Sequence, residues 1–284
     1  MLSRRKFLGV VAASVALPSA SLRGQQSNEW GSPVFDLHFH MRPQPPANLA
    51  HLDGAGIARA NLLTRATAAE QVAAVQSAAP GRFTWFASAD VAQPDSVQAL
   101  TQAVKNGARG FGEMKFHSAT DGPEFQRAYA LAAELGVPIL IHFQEVDHTE
   151  NEGKWSPGFA TKFESMLKAY PKTIFIGHAD AFWANMSADY HNESAYPSGP
   201  IARGGVTDRL LANYPNLYGD LSANSGNNML SRDPDFTADF LRRHQNKLMF
   251  GSDCGCADGH GAGIGQANNP AASRLAGKCV ARET

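Results

Sequence analysis

The sequence predicts a (β/α)8 barrel of the α/β class, and three observations predict it. Eight short runs rich in β-branched and aromatic residues alternate with helix-forming segments, the pattern of parallel strands joined by crossover helices. No glycine-rich phosphate loop follows any of these runs, which argues against an open, doubly wound sheet. His40, His142, His178 and Asp253 each close an otherwise apolar run, at the ends that converge on one mouth of a barrel.

The first strand covers residues 34–40. Alternation of side chains puts Asp36, His38 and His40 on one face and Phe35, Leu37 and Phe39 on the other. Two imidazoles so placed lie about 7 Å apart along the chain and can close on one metal ion. A loop with three prolines, 41–48, leads to a short helix over 49–56 and a second strand over 57–63. Thr67 is the expected N-cap of an alanine-rich helix that runs to Ala79 and ends at Pro80-Gly81. Strand three is 82–89, Asp95 opens a helix reaching Asn106-Gly107, and strand four is 108–117. The helix Pro123–Leu135 stops at Gly136.

Strand five, 137–143, is a continuous apolar run of the kind buried on both faces. A polar loop over 144–157 precedes a helix to Tyr170, and strand six is 173–178. A long excursion containing Gly, Pro and Asn, 180–205, comes before the helix Val206–Asn213. Strand seven is 217–221, the helix Pro234–His244 follows, and strand eight is 247–253. A last helix is expected from Asn269-Pro270 to Thr284, shorter than a barrel helix should be, as in a truncated chain.

Hydrophobic residues make up 43% and charged residues 18% of the 284-residue chain, the balance of a globular protein with a sizeable core. A formal net charge of -1 gives no electrostatic footprint for nucleic acid or an anionic membrane. The three cysteines, Cys254, Cys256 and Cys279, are too few and too clustered for a disulfide framework. Cys254 and Cys256 read as a disulfide or as two thiols in preference to a metal pair, since no second pair accompanies them.

At the N-terminus, Ser3-Arg4-Arg5-Lys6-Phe7-Leu8-Gly9 precedes an apolar run, 10–17, and the small residues around Pro18-Ser19-Ala20-Ser21. Such a segment is an export signal too short to anchor stably in a bilayer, and its adjacent arginines resemble the twin-arginine signal of bacterial exported proteins. Residues 1–30 are therefore assigned to signal and linker and 31–284 to the barrel. A periplasmic or extracellular location follows as an expectation, with the twin-arginine export machinery as a transient partner.

Zinc and similar divalent ions take neutral imidazole and carboxylate ligands, and a catalytic site leaves one position open for water. His38, His40, His142 and Asp253 can supply such a set. On strand four, Glu113, Lys115 and His117 alternate onto one face, while Gly112, Met114 and Phe116 take the other. If the first face is inward, Glu113 reaches the metal, and Lys115 and His117 sit near substrate. Arg42, just beyond the histidine pair, is a candidate clamp for a substrate carboxylate. Asp36 either orients an imidazole or makes a structural hydrogen bond at the barrel base. The aromatic residues of the long loops, Trp155 beside His148 and Trp183 and Tyr196 beside His191, serve more often as loop anchors than as ligand contacts. No phosphate loop or serine-hydrolase elbow competes for the chemistry.

The ordered set His38-Phe39-His40, His142, His178 and Gly251-Ser252-Asp253 resembles the amidohydrolase superfamily, and within it the amidohydrolase-related branch of hydrolases and nonoxidative decarboxylases. The resemblance covers residues 34–253. It implies that His38, His40, His142 and Asp253 bind metal, and that His178 either binds a second metal or polarises the substrate. It also implies a strand-four ligand, Glu113 or Lys115. Glu113 resembles the glutamate of the deoxyribonuclease-like subgroup and is preferred. Decarboxylase-like members with one metal lack that ligand, so Glu113 favours hydrolysis.

The expected activity is hydrolysis of a small-molecule amide, ester or lactone with one or two divalent ions, zinc first among them. Asp253 is the expected general base and then acid, and His178 the oxyanion stabiliser where it is not a ligand. The alternatives are a mononuclear metal-dependent decarboxylase and an inactive barrel acting as a binding protein.

Overall fold

The computed structural model describes residues 30–260, so the expected signal segment and the expected last helix lie outside the described residues. Within them, every expected strand forms. One parallel sheet runs in chain order: β1 Phe35–His40, β2 Arg59–Arg65, β3 Phe83–Ser88, β4 Gly110–Met114, β5 Ile139–His142, β6 Phe175–His178, β7 Leu217–Asp220 and β8 Leu248–Met249. Backbone bonds then join the last segment to the first. Leu37 N donates to Phe250 O at 3.0 Å, and Asp253 N to His38 O at 2.8 Å. The result is the predicted (β/α)8 barrel, nearly closed.

The helices are α1 Pro45–Ala55, α2 Ala69–Ala78, α3 Ser96–Lys105, α4 Pro123–Leu135, α5 Phe159–Ala169, α6 Asp180–Ala184, α7 Val206–Asn213, α8 Ala223–Arg232 and α9 Pro234–His244. Three of them, α4, α7 and α9, keep the bounds expected from sequence, and two of these have an unambiguous punctuator. Pro123 and Pro234 begin α4 and α9, and Gly136 ends α4 in the left-handed conformation at φ 65°. Asp233 also caps α9, its side chain accepting from Phe236 N.

Two apolar clusters hold the barrel together. The larger lies between sheet and helices and includes the fully buried Phe39, Phe111, Phe143, Phe159, Phe163, Phe175 and Phe182. Burying each such ring stabilises the fold by about 1.5–3 kcal/mol. The smaller fills the barrel interior with Leu37, Leu63, Phe86, Leu140 and Ile176, against which Tyr218 and Met249 pack. Every strand except β4 contributes one side chain to it. Strand β4 brings Gly110 and Gly112 instead, and the space explains why. A Cβ on Gly110 would lie 2.5 Å from the Phe86 ring, and one on Gly112 would lie 2.9 Å from Leu140 Cβ.

Several expectations are corrected. Strict alternation along β1 fails, because its register against β2 shifts between Asp36 and Phe39. Leu37 therefore joins the interior cluster while Phe39 packs toward the helices. Strand β4 ends at Met114, not at His117. Beyond it the backbone pairs with the loop after β5, Ser156 N donating to Phe116 O at 2.7 Å and Thr120 N to Pro157 O at 2.9 Å. Thr67 does not cap α2; it sits inside a short 3-10 turn, Ala66–Ala68, with no side-chain capping bond.

The excursion after β6 contains α6, whose Trp183 donates its Nε1 to Asp220 O at 2.8 Å and is buried. Helix α8 has no counterpart in the sequence-based expectation. Its Ala-Asn-Ser-Gly-Asn-Asn start is poor in helix formers, and burial of residues Asn224 to Leu230 holds it in place. Strand β8 is also shorter than expected, since the chain leaves the ladder and Asp253 takes a left-handed φ of 47°.

Candidate metal centre

Five strands and the segment after β8 deliver a tight cluster to the C-terminal mouth. His38 and His40 come from β1, Glu113 from β4, His142 from β5, His178 from β6, Asp220 from β7 and Asp253 from the closing segment. His38 Nε2 and His40 Nε2 lie 3.3 Å apart. Asp253 Oδ1 lies 3.3 Å from His40 Nε2 and 3.7 Å from His38 Nε2. Glu113 sits among the imidazoles. Its Oε1 is 2.5 Å from His142 Nδ1 and 3.6 Å from His178 Nε2, and its Oε2 is 3.5 Å from His40 Nε2 and 4.0 Å from His38 Nε2.

These spacings fit a divalent cation. Two donors each about 2.1 Å from an ion stand about 3–4 Å apart. Two sets of donor atoms, His38–His40–Asp253 and His38–Glu113–His178, have all members within 4.8 Å of one another and share His38. His142 meets them through Glu113, while its Nε2 pairs with Gln144 Oε1 at 3.0 Å. A third set, His51–Cys254–Cys256, does not qualify, because Cys254 is disulfide-bonded and its sulfur is spent on that bond.

Charge points the same way. Burial opposes ionisation of Glu113, yet His142 above all, then His38 and His178, hold its carboxyl well below the usual carboxylate range. Burial opposes ionisation of Asp253 too, and His38 and His40 outweigh it. His38 is raised to about 10, since Asp253, Asp220 and Glu113 together overcome its burial. His178 is pushed down to about 4 by burial and by His38, whose ring centroid is 4.3 Å away. His178 is thus kept from charging beside His38, while Glu113 and Asp253 are held ionised. A bound cation would balance them.

Asp220, buried at 0% exposure, is the residue the sequence reading missed. Its Oδ2 pairs with His38 Nδ1 at 2.6 Å and lies 3.4 Å from His178 Nδ1. Ser222 Oγ donates to that same Oδ2 at 3.0 Å and lies 3.0 Å from His178 Nδ1. The signal was present, an acid closing the short run Leu217-Tyr218-Gly219-Asp220 as Asp253 closes its own, but extending the strand to Leu221 hid it. Asp36 does not orient an imidazole. Its carboxylate accepts from Ser252 N at 2.9 Å, from Ser252 Oγ at 2.5 Å and from His38 N at 3.0 Å, tying β1 to the segment after β8. Burial, against those bonds, raises its pKa to about 6.

The expected substrate contacts each have protein partners. Arg42 donates to the carbonyls of His40, Cys254 and Cys256, which engages its guanidinium between β1 and the closing segment. Lys115 Nζ lies over the Trp155 ring at 5.1 Å, and His117 stacks on the same ring at 3.6 Å. The loop carrying Trp155 is clasped. Gln144 and Trp155 exchange backbone bonds, and Glu152 accepts from Trp155 Nε1, Gln144 Nε2 and His148 N.

Residues 35–259 match the family model described as Amidohydrolase. The chain belongs to the amidohydrolase family. Among solved structures, this family member resembles a TIM-barrel protein from Bordetella bronchiseptica at 14% identity, covering 78% of this chain and 85% of that one, with a TM-score of 0.54. It resembles 2,6-dihydroxybenzoate decarboxylase from Rhizobium at 15% identity, 78% and 87% coverage and a TM-score of 0.50. An amidohydrolase from Burkholderia multivorans is similar at 12% identity, 78% and 84% coverage and a TM-score of 0.50. At such identities the likeness concerns the fold. No curated protein matches the chain by sequence.

Proposed function

We propose that this family member is a metal-dependent hydrolase acting on a small-molecule amide, ester or lactone. The observation that carries the reading is Glu113, a carboxylate set among four imidazoles opposite Asp253. His38, His40 and Asp253 would hold one divalent ion, zinc by its taste for imidazole and carboxylate, and Glu113 with His178 would extend the site toward a second. An ion held there supplies a Lewis acid and brings the pKa of water from 15.7 toward about 7. Asp253, 13% exposed and 3.3 Å from His40 Nε2, would accept a proton from water and pass it to the leaving group. His142, fixed by Gln144 and Glu113, keeps the strand-four carboxylate in position.

The purified protein, reconstituted with zinc, is expected to hold about two ions per chain and to turn over a member of an amide, ester and lactone panel with oxygen-18 incorporation from water. Carbon dioxide release from an aromatic carboxylate without incorporation, and one ion per chain, would overturn hydrolysis in favour of decarboxylation. A protein that holds no metal and turns nothing over would make the barrel a binding protein. We also propose that the Arg4-Arg5 segment directs export by the twin-arginine route to the periplasm or beyond. Replacing Arg4-Arg5 by Lys-Lys should leave the protein in the cytoplasm, and unchanged export would refute that route.

A further inference from the structure

Resting on the metal-site reading above, we infer that Asp220 is a positioning residue that sets the tautomers of His38 and His178 together and so makes both imidazoles metal ligands through Nε2. The geometry converges on one oxygen. Asp220 Oδ2 receives His38 Nδ1 at 2.6 Å and Ser222 Oγ at 3.0 Å, and Ser222 Oγ in turn meets His178 Nδ1 at 3.0 Å. The other oxygen, Oδ1, accepts from Ser222 N at 3.0 Å, which fixes the carboxylate plane. Asp220 and Ser222 are both at 0% exposure.

Proton counting then leaves one arrangement. A carboxylate only accepts, so His38 carries a proton on Nδ1 whether its ring is charged or neutral, and a metal ion at Nε2 would take the place of the second proton. Ser222 has a single hydroxyl proton. If it went to His178 Nδ1, that one bond would leave a hydroxyl lone pair facing Oδ2 at 3.0 Å and a bare ring nitrogen facing it at 3.4 Å, two buried repulsive contacts. If it goes to Oδ2, the hydroxyl oxygen accepts from His178 Nδ1, and every contact on the Nδ1 side carries a proton. In that arrangement both Nε2 atoms can present lone pairs, His178 toward Glu113 Oε1 at 3.6 Å and His38 toward Glu113 Oε2 at 4.0 Å and Asp253 Oδ1 at 3.7 Å. His178 is then a ligand and not the oxyanion donor, because its Nε2 has no proton to give.

The closing segment is shaped around this arrangement. A Cβ on Gly251 would lie 2.6 Å from Asp220 Oδ1, 2.7 Å from His38 Cβ and 2.9 Å from Ser222 Cβ. Only a residue without one lets the carboxylate and the imidazole meet there.

The test uses the full chain and zinc alone, with nitrogen-15 imidazole spectra and zinc affinity by chelator competition. In the zinc-loaded wild type, His38 and His178 should both show a protonated Nδ1 and a zinc-shifted Nε2. Asp220→Asn should weaken zinc binding about 10- to 100-fold and perturb both Nδ1 signals. Ser222→Ala, a milder change, should perturb His178 alone and cost less affinity; it decides the matter if Asp220→Asn does not fold. Zinc affinity within twofold of wild type in Asp220→Asn, or a His178 that carries its proton on Nε2, would overturn the inference. A wild type that binds no zinc would instead refute the metal reading beneath it.

Discussion

His38 and His40 stand two residues apart on one strand, yet the first side chain is sealed and the second is 45% exposed. The same division runs through the whole site. Its floor consists of Asp36, Asp220, Ser222 and Ser252, all buried and all bonded to protein. Its mouth consists of His40, Glu113 and Asp253, each with solvent on one side, and their unshared donor atoms face one another. Both levels use acids. A fully buried carboxylate must be satisfied by the protein and so becomes a fixed strut, whereas one with an edge in solvent can exchange its partners and so can bind and react. Two of the site's backbone turns carry strain of the kind that functional mouths keep. Asp253 in the closing segment and Ala179 after β6 adopt positive φ at 47° and 77°.

The comparison can be broken at either level. The largest effect is expected at the mouth's inner edge, where the double change His38→Ala and His40→Ala should remove all bound metal. Elemental analysis showing full metal content in that variant would end the site assignment. Next, Asp253→Asn should lower turnover by about 10²- to 10⁴-fold, as the loss of a general base does. Steady-state rates on the best substrate of the panel check it, and a loss under tenfold would move the base elsewhere.

At the floor, Gly251→Ala should push Asp220 from His38, since the added Cβ would lie 2.6 Å from Asp220 Oδ1. Overpacking of this kind costs about 1–3 kcal/mol, so a lower Tm together with weaker zinc binding is expected. A drop in Tm with zinc affinity intact would separate the floor's packing role from its positioning role.

The smallest effect is expected outside the site, where Asp208 on α7 accepts from Arg243 and pairs with His244 of α9. Burial raises its pKa, but the His244 and Arg243 bonds prevail and bring it to about 2. Its folded pKa is depressed, so its stabilisation is complete above about pH 4 and is lost as the pH falls toward about 2. Asp208→Asn should cost about 1 kcal/mol or less at neutral pH and nothing near pH 2, read from Tm against pH, with zinc binding unchanged.

How much of this was legible depended on the kind of signal. Each strand could be read because a run of β-branched and aromatic residues reports burial locally. His40, His142, His178 and Asp253 could be read because a polar residue at the end of such a run stands out. Helix α8 could not, since its Asn- and Ser-rich segment has no helical preference of its own and is held by what it packs against. Lys115 and His117 read as strand residues although β4 stops at Met114, because the partner of that backbone is a loop distant in sequence. Asp36 and Asp220 look alike in the chain, each an acid in a short strand, and only their neighbours assign one to tying strands and the other to holding imidazoles.

The sequence by itself determined the barrel, the order of its strands and most of the residues that reach its mouth, since periodicity and chain order are local and sequential properties. The tertiary structure alone decided which carboxylate faces which imidazole. Hydrogen bonds such as that between His38 and Asp220 join residues 182 apart in the chain, and their direction depends on a register shift and on the space Gly251 leaves. The opening strand, 34–40, thus carries both lessons: its two histidines announced a metal site, and their burial, set by the whole barrel, gave them different work.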